Sequence, residues 1–423
     1  MLYELKGKES TVKCIINDQV VLSQPPEGPL ATPMASFAQW GSEQGYAYYA
    51  LHRKILLASD FSRWLGQQGL LAHDVSDAHP GQYLQDRARR VRIANGDASG
   101  LRQFMAFLRR EGVIAANEAP PTPMTPIEQC LQEFERYLRD ECALAPATII
   151  NYLPFVCGLL TQRFANSQVR LADLRASDVV DFVRRQAPQF HRSRAKLMTT
   201  ALRSFLQYAR YRGDLMLDLA AAIPPVASWS RTSIPRAIPA DQVERLLASI
   251  ERRSAMGRRD HAILLLLARL GLRSSAIVFL ELDDMDWAAG TFNVRGKNGR
   301  RTEFPLPAEV GQAIVAYLQH GRPCSTSRRV FLRHKAPIRG FLNQCAIGSI
   351  VRHAIQRANI QAPTRGAHQF RHALATHMLQ RGASLTEIGE VLGHRSPETT
   401  KIYAKVHLEA LRTLALPWPG GVQ

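Results

Sequence analysis

Over most of its length this chain sets its apolar residues at helical spacing, and two proline-rich breaks interrupt the pattern. Pro120, Pro121, Pro123 and Pro126 mark the first break, and Ile223-Pro-Pro225 through Pro239 the second; both read as linkers. They predict three domains, 1-119, 125-222 and 236-412. In the middle segment helical patterns alternate with polar turns, and its last helix, Leu202 to Gly213, is expected to face its aromatics inward and its arginines outward. The first segment carries an echo of that helix, because Leu101, Arg102, Phe104, Phe107, Arg109 and Gly112 repeat its pattern at a constant offset of 101. Asp74-Val75 with Tyr83 parallels Asp173-Leu174 with Phe182 at an offset of 99. A duplicated helical domain over about Ala35 to Val113 is expected, against the alternative that two amphipathic helices converged. Ahead of it, Val12 to Leu22 alternates like a hairpin or strap, and charges interrupt it too early for a signal peptide.

The last segment changes character. Arg259 to Leu270 is strongly apolar and closes on Gly271-Leu-Arg273. Thr291 to Arg295 alternates as a strand, Gly296-Lys-Asn-Gly299 is a tight turn that displays Lys297, and Arg301 to Leu306 returns as a second strand. From Gln369 to Arg381 helical spacing resumes, and Gly382 stops it. Ser384 with Glu387 is a capping box that opens a short helix, Gly393 closes that helix, and His394 stands just beyond. Ser396 and Pro397 signal a third helix start, which puts Tyr403 about two turns in. The fold class is therefore mainly α with a small antiparallel β-sheet in the last domain.

Composition adds a partner. Among 423 residues, 54 Lys+Arg against 36 Asp+Glu leave a formal charge of +18, a field that attracts polyanions and makes their binding steeply salt-sensitive. Arg192, Arg194 and Lys196 form a basic cluster at a helix start, with Arg203 farther along the same helix, and they are the candidate DNA contacts. No apolar run approaches a membrane span, the best being Ala262 to Ala268, so no membrane partner is expected. The six cysteines, Cys14, Cys130, Cys142, Cys157, Cys324 and Cys345, lack close metal-ligand pairs and fit small core residues in a reduced, cytoplasmic compartment.

For chemistry, His368 and Arg371 stand three apart, where both reach one bound anion, and arginine offers a rigid fork to two phosphate oxygens. Either alone says little. His372 and His377 are five apart, share no face well and lack a His-Glu-x-x-His pattern, which argues against a zinc hydrolase. Gly296 to Gly299 is too short to cradle a nucleotide phosphate. No metal and no cofactor are expected.

In order, Arg273, Lys297, His368-x-x-Arg371, His394 and Tyr403 resemble the catalytic set of the tyrosine site-specific recombinases, the phage-integrase class. Gly271-Leu-Arg273 is similar to that family's first arginine motif, Lys297 to its hairpin lysine, His368 with Arg371 to its second box and Leu392-Gly-His394 to its third, with Tyr403 nine residues on. The likeness covers Ile238 to Val406 strongly, and the helical region before it resembles the family's core-binding domain. It implies a multidomain clamp on double-stranded DNA, several protomers working as a tetramer on paired sites, and a mobile-element setting. By the same resemblance Tyr403 attacks the scissile phosphate to form a 3′-phosphotyrosyl bond, and the released 5′-hydroxyl later attacks a partner strand. Arg273 and Arg371 would neutralise the transition state, His368 accept the phenol proton, His394 hydrogen-bond the phosphate and Lys297 protonate the leaving oxygen. The tail from Leu408 to Leu416 either docks into a neighbouring protomer, as in this family, or packs within its own domain. One departure stands out: the family often has an acidic residue three positions after the first arginine, and here that residue is Ala276, with Glu281 out of register. Three readings stay open: a recombinase or integrase, a topoisomerase-like nicking and resealing enzyme, and a catalytically silent DNA-binding regulator.

Overall fold

A computed structural model describes residues 25–115, 124–165, 168–226, 237–296, 301–362, 364, 366–393 and 397–406, with the backbone of 14–16 and 20–22. The chain divides into two compact units, residues 119–233 and residues 1–118 with 234–423. Strands β1 (Cys14–Ile16) and β2 (Val20–Leu22) pair antiparallel, Ile15 opposite Val21, within the stretch read as a hairpin or strap. Four helices follow: α1 (Met34–Glu43), α2 (Tyr48–Gln67), α3 (Ala78–Ala88) and α4 (Asp97–Arg110). Their apolar stripes meet in one cluster that includes Phe37, Phe61, Leu101, Phe104 and Leu108. The buried Ser62 hydroxyl ties the entering chain to α2, accepting from the Leu30 amide at 3.0 Å and donating to the Glu27 carbonyl at 2.6 Å. At the turn between α1 and α2 the Gln44 carbonyl accepts from the Ile338 amide at 2.9 Å. Gly45 stands there at φ +76°, where any Cβ would collide with the Ile338 side chain.

Residues 119–233 hold α5 (Pro126–Asp140), α6 (Pro146–Phe164), α7 (Ala176–Gln186) and α8 (Arg192–Tyr211). α5 starts where the sequence supplies reciprocal caps: the Thr125 amide donates to Glu128 at 2.8 Å, the Glu128 amide donates back to Oγ1 at 3.2 Å, and Pro126 takes the first position. Phe134, Leu159, Phe205 and Tyr208 are among the side chains that fill this unit's core. The expected face of α8 needs two corrections. Tyr211 is 76% exposed, because the last turn of α8 runs past the core. Arg203 is half-buried rather than outward, and it donates to the Ile223 carbonyl at 3.0 Å, which ties down the chain leaving α8. Arg192, Arg194 and Lys196 are exposed, Arg194 lying over the Phe155 and Phe190 rings at 5.3 and 5.4 Å.

The C-terminal part is built around α10 (Ala255–Leu270), preceded by α9 (Ala240–Ala248). Ser254 caps α10, its hydroxyl accepting from the Gly257 amide at 3.0 Å. A helix apolar on all sides must be surrounded, and every residue from Arg259 to Ala268 is buried. The two charged residues of that buried stretch are paired, Arg259 to Asp260 at 2.7 Å, and Arg259 also donates to the Leu332 carbonyl at 3.1 Å and stacks on Phe341. After the short α11 (Ser274–Val278) comes the antiparallel sheet β3 (Met285–Asp286), β4 (Thr291–Arg295), β5 (Arg301–Pro305), with Phe292 opposite Phe304. The two strands read from alternation lie where expected. β3 was not foreseen, since two residues carry no period. Helices α12 (Ala308–His320), α13 (Cys345–Arg357), α14 (His368–Gln380), α15 (Leu385–Val391) and α16 (Pro397–Thr400) follow, and a 3-10 turn continues from Lys401 to Val406. No helix among the described residues is long and apolar enough to cross a membrane. Lys297, His394 and the tail from Leu408 to Leu416 lie outside the described residues.

Candidate active site

α10 ends at Gly271, whose left-handed φ of +57° turns the chain toward Arg273 and leaves no room for a side chain. A Cβ there would stand 2.8 Å from Leu392 Cδ2 and 3.1 Å from Leu374 Cδ2, so the missing side chain is what lets α14 and the end of α15 close onto α10. Arg371 fastens that closure. Its guanidinium donates to the Gly271 carbonyl at 2.8 Å and also to the Leu392 carbonyl, bridging the ends of two helices. Arg371 is 4% exposed, and burial, helped by the neighbouring Arg273 charge and opposed by Tyr403, pulls its pKa down to about 10. Even so it stays charged at neutral pH.

Arg273 stands at the N-terminal end of α11, directly before Ser274, and is exposed. His368, the first residue of α14, is exposed on its outer side, and burial of the rest with the positive charges of Arg371 and Arg273 lowers its pKa. Arg273, His368 and Arg371 therefore share one electrostatic neighbourhood with no carboxylate among the causes of these shifts. That surplus of positive charge is a seat for an anion.

Tyr403 is brought to the same place, but inward. It is 1% exposed and packs with Ala375, Leu379, Ile388 and Leu392. Burial raises its pKa and Arg371 opposes the rise. Its hydroxyl lies 3.0 Å from Nδ1 of His372, a residue whose sequence context suggests nothing beyond a poor zinc pair with His377. The His372 ring sits edge-on to His368 with centroids 4.4 Å apart. Burial first, then His368 and Arg371, push its pKa down to about 4, so at neutral pH it is an uncharged imidazole. The signal that points to it is spacing: His368 and His372 stand four apart on one helix, hence on one face.

The acidic position is empty of a carboxylate. Ala276 is 8% exposed inside the apolar core around α10. Glu281 pairs with Arg295 at 2.7 Å and Arg329 at 3.3 Å and is committed to the sheet side.

The chain is similar to known proteins over most of its length. Residues 236–409 match the model of the phage integrase family, and residues 131–213 that of the phage integrase N-terminal SAM-like domain. A relative named "Putative integrase/recombinase y4rA" from Sinorhizobium fredii is 54% identical over 412 residues, covering 97% of this chain and 100% of that protein. Tyrosine recombinase XerD of Mycobacterium tuberculosis is 34% identical over 229 residues, 52% of this chain and 71% of that protein. Among solved structures, XerH bound to palindromic difH substrate in a post-cleavage complex aligns with a TM-score of 0.56 at 18% identity, over 70% of this chain and 98% of that one. A lambda integrase dimer bound to a COC' core site aligns with a TM-score of 0.52 at 12% identity, over 78% and 91%. These structural likenesses speak to the fold, and the sequence matches decide membership: the chain belongs to the phage integrase family of tyrosine recombinases.

Proposed function

We propose that this protein is a site-specific recombinase or integrase of a mobile element, working in the cytoplasm, that cuts and rejoins duplex DNA through a 3′-phosphotyrosyl bond at Tyr403. The observation that carries the reading is the meeting of the Tyr403 hydroxyl and His372, 3.0 Å apart, beside the cations Arg273 and Arg371. A scissile phosphate seated between Arg273, His368 and Arg371 finds charge prearranged for the oxygens that become more negative in the transition state. Exchange of a phosphodiester for a phosphotyrosyl ester retains the bond energy, so the chemistry asks for no nucleotide cofactor. Lys297 is the proposed donor to the leaving 5′-oxygen and His394 a further phosphate ligand, both on the family resemblance. Paired sites require several protomers, and a tetramer on two duplexes is the assembly we infer.

The proton inventory assigns two histidines different work. Burial holds the Tyr403 phenol above its ordinary pKa and pushes the His372 imidazole down to about 4, so passing a proton from the one to the other is uphill. His372 in this state therefore holds the phenol rather than deprotonating it. A bound phosphate adds negative charge beside His368 and raises its basicity, which suits His368 to accept the proton once DNA is in place. Tyr403 must leave its apolar seat to attack, so the buried arrangement is a resting state.

The test is a nicked suicide duplex from the flanks of the encoding element. Wild type is expected to form a covalent protein–DNA adduct and Tyr403→Phe to form none. Ala276 favours a second reading, a silent DNA-binding regulator, and wild type that binds the duplex yet gives no adduct would establish that reading in place of the first. Religation within one site without exchange between two would mark a topoisomerase-like enzyme.

A further inference from the structure

The helices α1 to α4 and α5 to α8 pass through the same succession of events, except that α7 and α8 are joined through an additional 3-10 turn, Ala187–Gln189. In each set two helices lead into a three-residue 3-10 turn, Ala72–Asp74 in one and Leu171–Asp173 in the other, and two more helices follow. The third helices, α3 and α7, are each 11 residues long. Just past each last helix stands a left-handed glycine, Gly112 at φ +70° and Gly213 at φ +82°. Ring contacts correspond as well. Phe37 and Trp40 of α1 match Phe134 and Tyr137 of α5 in spacing. Phe37 meets Phe104 and Phe107 at 4.8 and 5.3 Å, and Phe134 meets Phe205 and Tyr208 at 5.2 and 5.3 Å. Trp40 lies 5.8 Å from Phe107, and Tyr137 lies 4.7 Å from Tyr208. Val75 and Leu174, just after the two 3-10 turns, and Tyr83 and Phe182 on the third helices, are all 5% exposed or less. Convergence accounts for one apolar stripe. It does not account for matched contacts between first and last helices, a matched turn and a matched glycine.

Both sets also carry a dense positive run around the junction of their third and fourth helices, on the helix ends in α5–α8 and mostly in the connection itself in α1–α4. In α5–α8 it comprises Arg184, Arg185, Arg192, Arg194 and Lys196; in α1–α4 it comprises Arg87, Arg89, Arg90 and Arg92. Arg87 is held inside by Asp60 at 3.0 Å and Tyr83 at 3.2 Å. Arg89 and Arg90 share the single carboxylate of Asp86 at 3.7 and 2.7 Å, with side chains 81% and 68% exposed, and Arg92 is exposed. Ion pairs this exposed hold weakly, so exchanging Asp86 for a phosphate costs little.

We propose that residues 30–114 are a second copy of the SAM-like fold and that this copy grips the phosphate backbone of duplex DNA through Arg89, Arg90 and Arg92. The family match to the SAM-like domain covers only 131–213, so the first copy is an addition to that description. The fold half of the proposal stands on the contacts above, and the ligand half rests on the reading of the chain as a duplex-binding recombinase. Contacts of this kind position without reading bases, so the added grip is independent of sequence.

The experiment uses the full chain carrying Tyr403→Phe, so that covalent capture plays no part, and a fluorescent random-sequence duplex of about 60 base pairs titrated between about 50 and 200 mM salt. Three proteins are compared: the parent, R89E/R90E/R92E, and R53E/R63E/R110E as an equal charge change elsewhere in the same module. Melting by circular dichroism verifies folding, and Arg→Gln versions replace any variant that fails it. The connection variant is expected to bind at least about tenfold more weakly, and its plot of log affinity against log salt to flatten by about one unit for each arginine taken off a phosphate. The control is expected to change less. Equal losses in both variants, or none in the connection variant, overturn the proposal. A shift in oligomeric state with unchanged DNA affinity also overturns it, and assigns the run to contact between protomers. A parent that binds no duplex sinks the proposed function instead, so the two failures are told apart.

Discussion

His372 joins the phenol of Tyr403 to the charged cluster and makes the site pH-sensitive. In the folded chain its pKa falls from 6.5 to about 4, while in the unfolded chain the ring takes up a proton near 6.5. Between those values the unfolded state binds more protons, so stability falls as pH drops through that window and is intact above it. Thermal melts from pH 7 to 4.5 are expected to show a larger loss of Tm in wild type than in His372→Gln; parallel curves would remove this role. Arg371 makes a second residue-scale prediction. Lysine keeps the charge but cannot bridge the Gly271 and Leu392 carbonyls as the fork does. Arg371→Lys is therefore expected to lose about 1.5–3 kcal/mol in denaturant unfolding and to abolish the covalent adduct. An adduct at wild-type level would show that charge alone suffices. At this scale the sequence exposed Arg273, His368, Arg371 and Tyr403 through order and spacing. It hid His372, because the partner that gives that ring its meaning is 31 residues away.

Helix ends decide the next level. α14 and α15 were legible because their signals are local: the Ser384 amide donates to Glu387 at 2.7 Å and the Glu387 amide returns to Ser384 Oγ at 3.2 Å, the reciprocal pair that four residues of sequence announce. Ser384→Ala is expected to cost ~1 kcal/mol, the usual worth of such a cap, read as a lower urea midpoint with an unchanged slope. At the other end of the site, Gly271→Ala puts a Cβ 2.8 Å from Leu392 Cδ2 at a positive φ, and a loss of about 1–3 kcal/mol is expected with a weaker hold on Arg371. If the alanine variant melts with wild type, the close approach is not what the glycine serves. Other features of this level were illegible for physical reasons. The sequence shows Arg259 and Asp260 only as the opening of a strongly apolar run, whereas their burial rests on their own pairing and on the Leu332 carbonyl and Phe341, more than 70 residues on. Likewise Arg203 read as an outward cation until the chain leaving α8 brought the Ile223 carbonyl to it.

On the scale of the molecule, the two proline-rich breaks fall between α4 and α5 and between α8 and α9, near the bounds of the two compact units. Which units share a body was not written there; residues 1–118 group with 234–423, and Gln44 with Ile338 is a contact between them that no periodicity announces. Residues 119–233 keep their core to themselves, from Phe134 to Tyr208. Expressed alone, that segment is expected to unfold in one cooperative transition by circular dichroism; a broad, sloping melt would mean it needs the rest of the chain. The seat of Tyr403 has a consequence at this scale too. On the function proposed above, the buried phenol of Tyr403 is a blade sheathed in oil, and accidental nicks are then governed by how often it leaves that apolar seat, not by how often the protein lands on DNA.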